Sequence, residues 1–342
     1  MTCRPDIPVG AAPGACGPER PPEHTREYPP ERPPVPDLTV DDAVQPFWLR
    51  GAPARGRLVR LGPLAQAILG RHADNPPQVN AILGEALALT AGLAAALKYR
   101  GSFSLQARGD GALPMLLADC TDDGALRGYA RFDEAKLALL GAEPSATRLL
   151  GAGYLAFSCE TAPEGGGAES DRYQGIVPLE GATLAEITHT YFRTSEQTET
   201  AVRTFARVRP EGWRAGALIL ERVAISGGAD APGAETAEDA WREAVAFAST
   251  LTEAEMLDGS LPPRTLLHRL FFDLAPAFAA PRALSYGCRC TRARLAAILA
   301  GFSADDLDHM AAPDAATGAG RITMTCEFCN HAFHFPRDAF NA

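Results

Sequence analysis

Lysine is nearly missing from this 342-residue chain: Lys98 and Lys136 are the only two, and arginine supplies the rest of its 32 basic residues. Set against 42 acidic residues, they leave a formal net charge of −10. An acidic surface argues against a nucleic-acid partner, because phosphate binding needs clustered Lys and Arg. The arginine preference reads as a genomic bias. Long hydrophobic runs are missing too. The most apolar stretch, Ala81 to Leu97, falls short of the roughly 20 residues of a membrane span, and Glu85 interrupts it. A buried core helix is expected there, and no membrane partner. Residues 1–36 hold no apolar h-region of a secretory signal. The expected address is cytoplasmic, where thiols stay reduced and clustered cysteines read as metal-binding or redox-sensing. Catalytic motifs are lacking as well. His24, His72, His189, His268 and His309 are scattered without a motif partner, and no glycine loop of the phosphate-cradling kind occurs. An enzyme is therefore not expected; one housed in the first domain would need a polar constellation that the sequence does not offer.

What is present is a chain with 46% apolar residues, long enough for two domains and more. Residues 1–36 read as a disordered Pro-rich tail, in which Cys3 and Cys16 are incidental thiols. Residues 37–225 read as one α+β domain. Pro76 and Pro77 open a helical run to Lys98, with Val79, Ile82, Leu83, Ala86, Leu87 and Leu93 at helical spacing. Phe103, Leu105 and Ala107 alternate with polar residues, as in a half-buried strand. Asp110-Gly111 and Asp123-Gly124 then turn the chain into the runs Met115–Ala118 and Leu126–Phe132, the pattern of an antiparallel meander. More strands are expected near Tyr154–Phe157, Tyr173–Val177 and Leu218–Val223. Thr183 with Glu186 predicts a capping box opening a helix to about Arg193.

Residues 226–284 read as a helical linker that begins with a hinge at 226–235. Its two helical stretches, Thr236–Leu257 and Pro263–Leu274, carry an unusual apolar load for a connecting segment. Either they simply pack on the first domain, or that packing is marginal and releasable. Residues 285–342 form a small C-terminal module, with Thr291 and Ser303 as helix caps and strand-like runs at Ile322–Thr325 and Ala332–Phe335.

Four cysteines carry the chemistry of that module. Cys288-Arg289-Cys290 and Cys326-Glu327-Phe328-Cys329 are two close pairs separated by 35 residues. One tight turn can aim two sulfurs at a single centre, and two such turns close a tetrahedral shell of the kind that holds one Zn²⁺. A closed shell leaves no open position for substrate, so the zinc is either structural or regulatory. Arg289, Arg292 and Arg294 could balance the charge of four thiolates. His331 and His334 could replace a ligand, although His334 alternates with Phe333 and Phe335 and reads as a surface-facing strand residue. Cys120 and Cys159 read as buried small hydrophobes. Oxidative coupling of zinc-held sulfurs would expel the metal and melt a module that owes its fold to it.

The chain resembles the bacterial heat shock protein 33 family, the 33 kDa chaperonins, from about Asp37 to Phe335. The resemblance rests on Leu83-Gly84-Glu85-Ala86, Leu97-Lys98-Tyr99-Arg100-Gly101, Leu105-Gln106 with Gly109-Asp110-Gly111, and Leu126-Arg127-Gly128-Tyr129-Ala130. It continues through Tyr173-Gln174-Gly175-Ile176-Val177, Tyr191-Phe192 with Ser195-Glu196-Gln197-Thr198, and the two cysteine pairs with their flanking Gly287. It implies that Cys288, Cys290, Cys326 and Cys329 bind one zinc ion in a reduced, inactive, monomeric protein. It further implies that peroxide or hypochlorous acid, helped by heat, drives the disulfides Cys288–Cys290 and Cys326–Cys329. Zinc loss, unfolding of module and linker, dimerisation, and ATP-independent holding of unfolding client proteins then follow. On that reading Trp241, Phe247, Leu251, Leu267, Phe271 and Phe272 of the linker are the expected client-binding residues. The interval between the cysteine pairs is a few residues longer than is usual in the family, with the excess placed at Ala312–Gly320, and the Pro-rich tail has no counterpart. The competing expectation is a zinc-ribbon adaptor for nucleic acid or protein, which calls for a basic face where the sequence has Asp305, Asp306, Asp308 and Asp314.

Overall fold

The computed structural model describes residues 42–97, 100–161, 172–224, 234–313 and 320–340. The tail with Cys3 and Cys16, most of the 226–235 hinge and the middle of the 312–320 loop lie outside the described residues. In chain order the elements are β1 (Ala43–Leu49), β2 (Ala54–Leu61), α1 (Pro63–Leu69), α2 (Pro77–Ala94), β3 (Gly101–Gly109), β4 (Met115–Thr121) and β5 (Ala125–Arg131). There follow α3 (Glu134–Leu137), α4 (Ala146–Leu150), β6 (Gly153–Thr161), β7 (Arg172–Pro178), α5 (Leu184–Thr194), β8 (Thr200–Arg209) and β9 (Gly212–Arg222). The connecting segment holds α6 (Ala234–Ser249), α7 (Glu253–Met256), α8 (Pro263–Phe271), β10 (Pro276–Phe278) and β11 (Arg282–Ala283). Last come β12 (Ser285–Tyr286), α9 (Arg292–Leu299), α10 (Ala304–Met310), β13 (Ala311–Pro313), β14 (Gly320–Thr325) and β15 (Ala332–Pro336).

The fold is α+β, as expected. Its strands form a sheet ordered β10-β1-β2-β9-β8 with β11 also on β1, a sheet ordered β12-β5-β4-β3-β6-β7, and the small sheet β13-β14-β15. Helix α2 lies between the two large sheets. It is buried on nearly every face, as befits a helix apolar all round. Val59, Ala217 and Ile219 of the first sheet and Leu105, Ala107, Leu116 and Ala118 of the second share one core with it. Alternate residues of the first sheet, Phe47, Leu58, Leu218 and Leu220, point the other way and pack under α6 and α8. The first sheet is thus buried on both faces, which is why its strands lack simple polar–apolar alternation. The second sheet keeps the alternation, and its turn at Gly124 uses a φ of 86° that suits glycine.

Several expectations shift in detail. Helix α2 ends at Ala94, not Lys98, because Ala96 and Leu97 close tighter i→i+3 turns on Leu93 and Ala94. The 236–257 stretch breaks at Thr250–Thr252. There the Ser249 and Thr250 hydroxyls bond back to the Ala246 and Phe247 carbonyls, and Thr252 with Glu255 builds a new capping box. The linker is not helical throughout, since β10 and β11 add its last residues to β1. Among the described residues, no helix is long and apolar enough to cross a membrane.

Candidate metal centre

Two backbone turns aim the four sulfurs. The first follows β12, which pairs parallel with β5, and the Gly287 N–H donates to the Leu126 carbonyl at 2.8 Å just before Cys288. Thr291 then caps α9 immediately after Cys290, so the Cys-Arg-Cys turn is held at both ends. The second turn joins β14 to β15. The Cys326 N–H donates to the His331 carbonyl at 3.0 Å, the Asn330 N–H donates to the Cys326 carbonyl at 2.7 Å, and Asn330 takes φ 53° to close the loop.

The sulfurs meet as free thiols. Sγ of Cys288 lies 3.5 Å from that of Cys290 and 3.7 Å from that of Cys326, and Cys290 lies 3.5 Å from Cys329. All four fall within 4.8 Å of one another, a group that can hold a metal ion. Hydrogen bonding with Cys290, then Cys326 and Cys329, pulls the Cys288 thiol far below its ordinary range, while the same contacts push Cys290 up. Cys288 and Cys329 are buried in the main core, and the half-buried Cys290 and Cys326 also touch the C-terminal core of Leu299, Leu307, Ile322, Phe333 and Phe335. The centre sits in the seam between those two cores.

The surrounding cations are used differently from the expectation. Arg289 pairs with Asp119 on β4, Arg292 donates to the His334 carbonyl at 2.7 Å and lies over the Phe335 ring, and Arg294 is exposed. The first two are thus engaged by protein groups. His334 is an exposed strand residue 3.0 Å from the Thr323 hydroxyl, and His331 sets its ring edge-on to Phe333. Neither joins the four-sulfur group. Cys120 is buried and its thiol is pushed up to about 12 by that burial, but Cys159 is only half-buried. Both face Phe103 from opposite sides, two strands apart.

The linker residues gather elsewhere, on the outer face of the first sheet. Trp241, Leu251, Leu267 and Phe271 are buried there and Phe247 is partly so, whereas Phe272 is 76% exposed. Sequence reading missed the groups that receive the cysteine turns: His72, Asp119, Arg127, Tyr129 and Arg131. Alternation along β5 does put Arg127, Tyr129 and Arg131 on one face, but their partners lie far down the chain.

Three comparisons bear on this geometry. A family model described as Hsp33 protein matches residues 42–336. Curated proteins named 33 kDa chaperonin are similar along most of the chain. The one from Caulobacter vibrioides is 37% identical over 307 residues, covering 87% of this chain and 96% of its own. That from Pseudomonas putida is 33% identical over 299 residues, covering 87% and 92%. The crystal structure of a 33 kDa chaperonin from Thermotoga maritima superposes with a TM-score of 0.68 at 19% identity, over 88% of this chain and 96% of that one, a likeness of fold.

Proposed function

Because this chain belongs to the Hsp33 family, we propose that it is a redox-regulated, ATP-independent chaperone that holds unfolding proteins once its four clustered cysteines are oxidised. The observation that carries the reading is the spacing of the sulfurs. A tetrahedral shell with Zn–S bonds of about 2.3 Å has edges of about 3.8 Å; the Cys288–Cys290, Cys288–Cys326 and Cys290–Cys329 separations of 3.5–3.7 Å fit it. Sulfur-only donors in a closed shell favour Zn²⁺ over harder cations. We assign Cys288, Cys290, Cys326 and Cys329 as its ligands. When bound, the ion keeps the four sulfurs deprotonated and ties the two turns together.

In the reduced state those sulfurs bridge the main core and the C-terminal core. Oxidation by peroxide takes two electrons from each thiolate pair, forming Cys288–Cys290 and Cys326–Cys329, while each peroxide takes up two protons from solvent and leaves as two waters. Disulfide sulfurs carry no anionic charge, so the turns lose their common tie. The C-terminal module (285–342) then melts, and the linker (226–284), whose last strands lead directly into it, loosens from the 37–225 domain. Trp241, Phe247, Leu251, Leu267 and Phe271 then join the already exposed Phe272 as the apolar surface for clients. We take the reduced form to be monomeric, the oxidised form dimeric, and the site of action the cytoplasm.

The test is light scattering from a heat-denatured client enzyme, with reduced zinc-loaded protein and with peroxide-treated protein. Suppression by the oxidised form alone is expected. Equal behaviour of both forms removes the switch.

A further inference from the structure

The residues between the metal-binding cysteines are themselves fastened to the body of the protein. Arg289, the spacer of the first pair, is ion-paired with Asp119. Of the two spacers in the second pair, Glu327 meets Arg131 at 2.5 Å and Phe328 lies under the Arg127 guanidinium at 4.1 Å. The Phe328 ring also stands edge-on to Tyr129, with centroids 4.9 Å apart, and its carbonyl lies 3.3 Å from Nε2 of the buried His72. Arg127, Tyr129 and Arg131 are consecutive outward residues of β5, and Asp119 sits opposite Arg127 on β4. One face of two strands thus receives the spacers of both pairs.

These contacts are unequal. The Arg131–Glu327 pair is exposed and adds little. Phe328 is half-buried and meets both a cation and an aromatic edge, so it carries most of the docking. Ligation and docking also share a backbone: a turn of four residues cannot place two sulfurs without placing Phe328.

We propose that the spacers, chiefly Phe328 clasped by Arg127 and Tyr129, are positioning residues that couple docking of the C-terminal module to metal retention and so set how readily the cysteines oxidise. The proposal rests on the zinc-switch reading above. By linkage, whatever factor metal binding adds to docking, docking adds to metal binding.

The experiment uses the full reduced, zinc-loaded chain with the double substitution Arg127→Ala/Tyr129→Ala, which touches no ligand. Zinc affinity is read by chelator competition, zinc release is timed at fixed peroxide, and amide exchange is followed at Gly287 and Cys326. One zinc per chain should remain, with affinity about tenfold weaker, release faster by a similar factor and both amides less protected. Arg127→Lys/Tyr129→Phe should recover most of the loss. Affinity and release within twofold of the wild type would overturn the proposal, as would a loss that the conservative pair does not restore. Should the alanine pair fail to fold, Phe328→Leu tests the same contact from the other side, with the same expectation and the same overturning result. A wild type that keeps its zinc under peroxide sinks the switch instead, while the chelator arm still reads the docking.

Discussion

Glu85 is the one charge-bearing group in an otherwise apolar helix, and its surroundings make it a pH-dependent liability. It sits on α2 where the helix faces β8, accepting a hydrogen bond from the Thr204 hydroxyl at 2.8 Å. Burial pushes its carboxyl up to about 7, against smaller opposing pulls from Thr204 and Arg207, while Glu253 adds to the rise. The folded state therefore binds this proton more tightly than the unfolded chain does. That contribution to stability is fully present below the unfolded value near 4.5 and is lost as pH rises through about 7. Glu85→Gln keeps an acceptor for Thr204 without the charge. It should match the wild type in urea unfolding at pH 4 and exceed it by up to ~3 kcal/mol at pH 8; equal midpoints at pH 8 would refute the assignment. The buried pair of Arg57 and Glu221 has the opposite sign. Burial alone would raise the Glu221 carboxyl, but Arg57 and Arg55 together outweigh it and hold it low, so that contribution is lost only as pH falls. Sequence showed Glu85 as an interruption of an apolar run, yet its partner Thr204 lies 119 positions away in the chain. The four clustered cysteines were legible because each pair is local, whereas Arg127 and Tyr129 were not, since their partner Phe328 meets them only through the folded chain.

At the scale of elements, legibility followed periodicity. Helix α2 and strands β3 to β7 could be read because one regular pattern governs each. Of the first sheet only β9 was anticipated, near Leu218–Val223: Arg55, Arg57 and Arg60 interrupt β2, Pro46 interrupts β1, and burial on both faces erases the alternation. Strands β10 to β12 span only two or three residues each, below any periodic signal. The linker helices expose the same limit from the functional side. Their apolar spacing was plain and packing on the first domain was expected, but which surface receives them was not legible, and the answer is the outer face of the first sheet. Leu267, fully buried on the inner face of α8, tests how firmly they are held. Leu267→Ala should cost about 2–5 kcal/mol through lost contacts and a residual cavity. Because α6 and α8 form a covering layer, this loss should appear as local opening before global unfolding. The reduced variant is expected to bind an apolar dye and suppress client aggregation partly without oxidant. A variant with a lower Tm but the dye binding and chaperone activity of reduced wild type would rule out marginal linker packing as the gate.

Across the whole molecule the apolar groups divide unequally, and the division fixes the order in which parts should fail. The main core spans both sheets and α2, and the second lies between the first sheet and α6 and α8. Among the described residues the third has only five fully buried members: Leu299, Leu307, Ile322, Phe333 and Phe335. A core that small does not stabilise a fold alone. Structural zinc in comparable peptides supplies about 10–16 kcal/mol, more than most whole domains have in reserve. Removing metal from the reduced full chain with a chelator should therefore strip amide protection from β14, β15 and α9 first. Protection in β3 and β6, deep in the main core, should persist. The linker helices should fall between, since β11 and β12 tether them to the cysteine turns without placing them in the third core. Hydrogen exchange read by mass spectrometry over a chelator titration resolves this order. If β14 and β15 stay protected after the last metal has gone, the small core folds without it, and oxidation of the cysteines has no mechanical route to the linker.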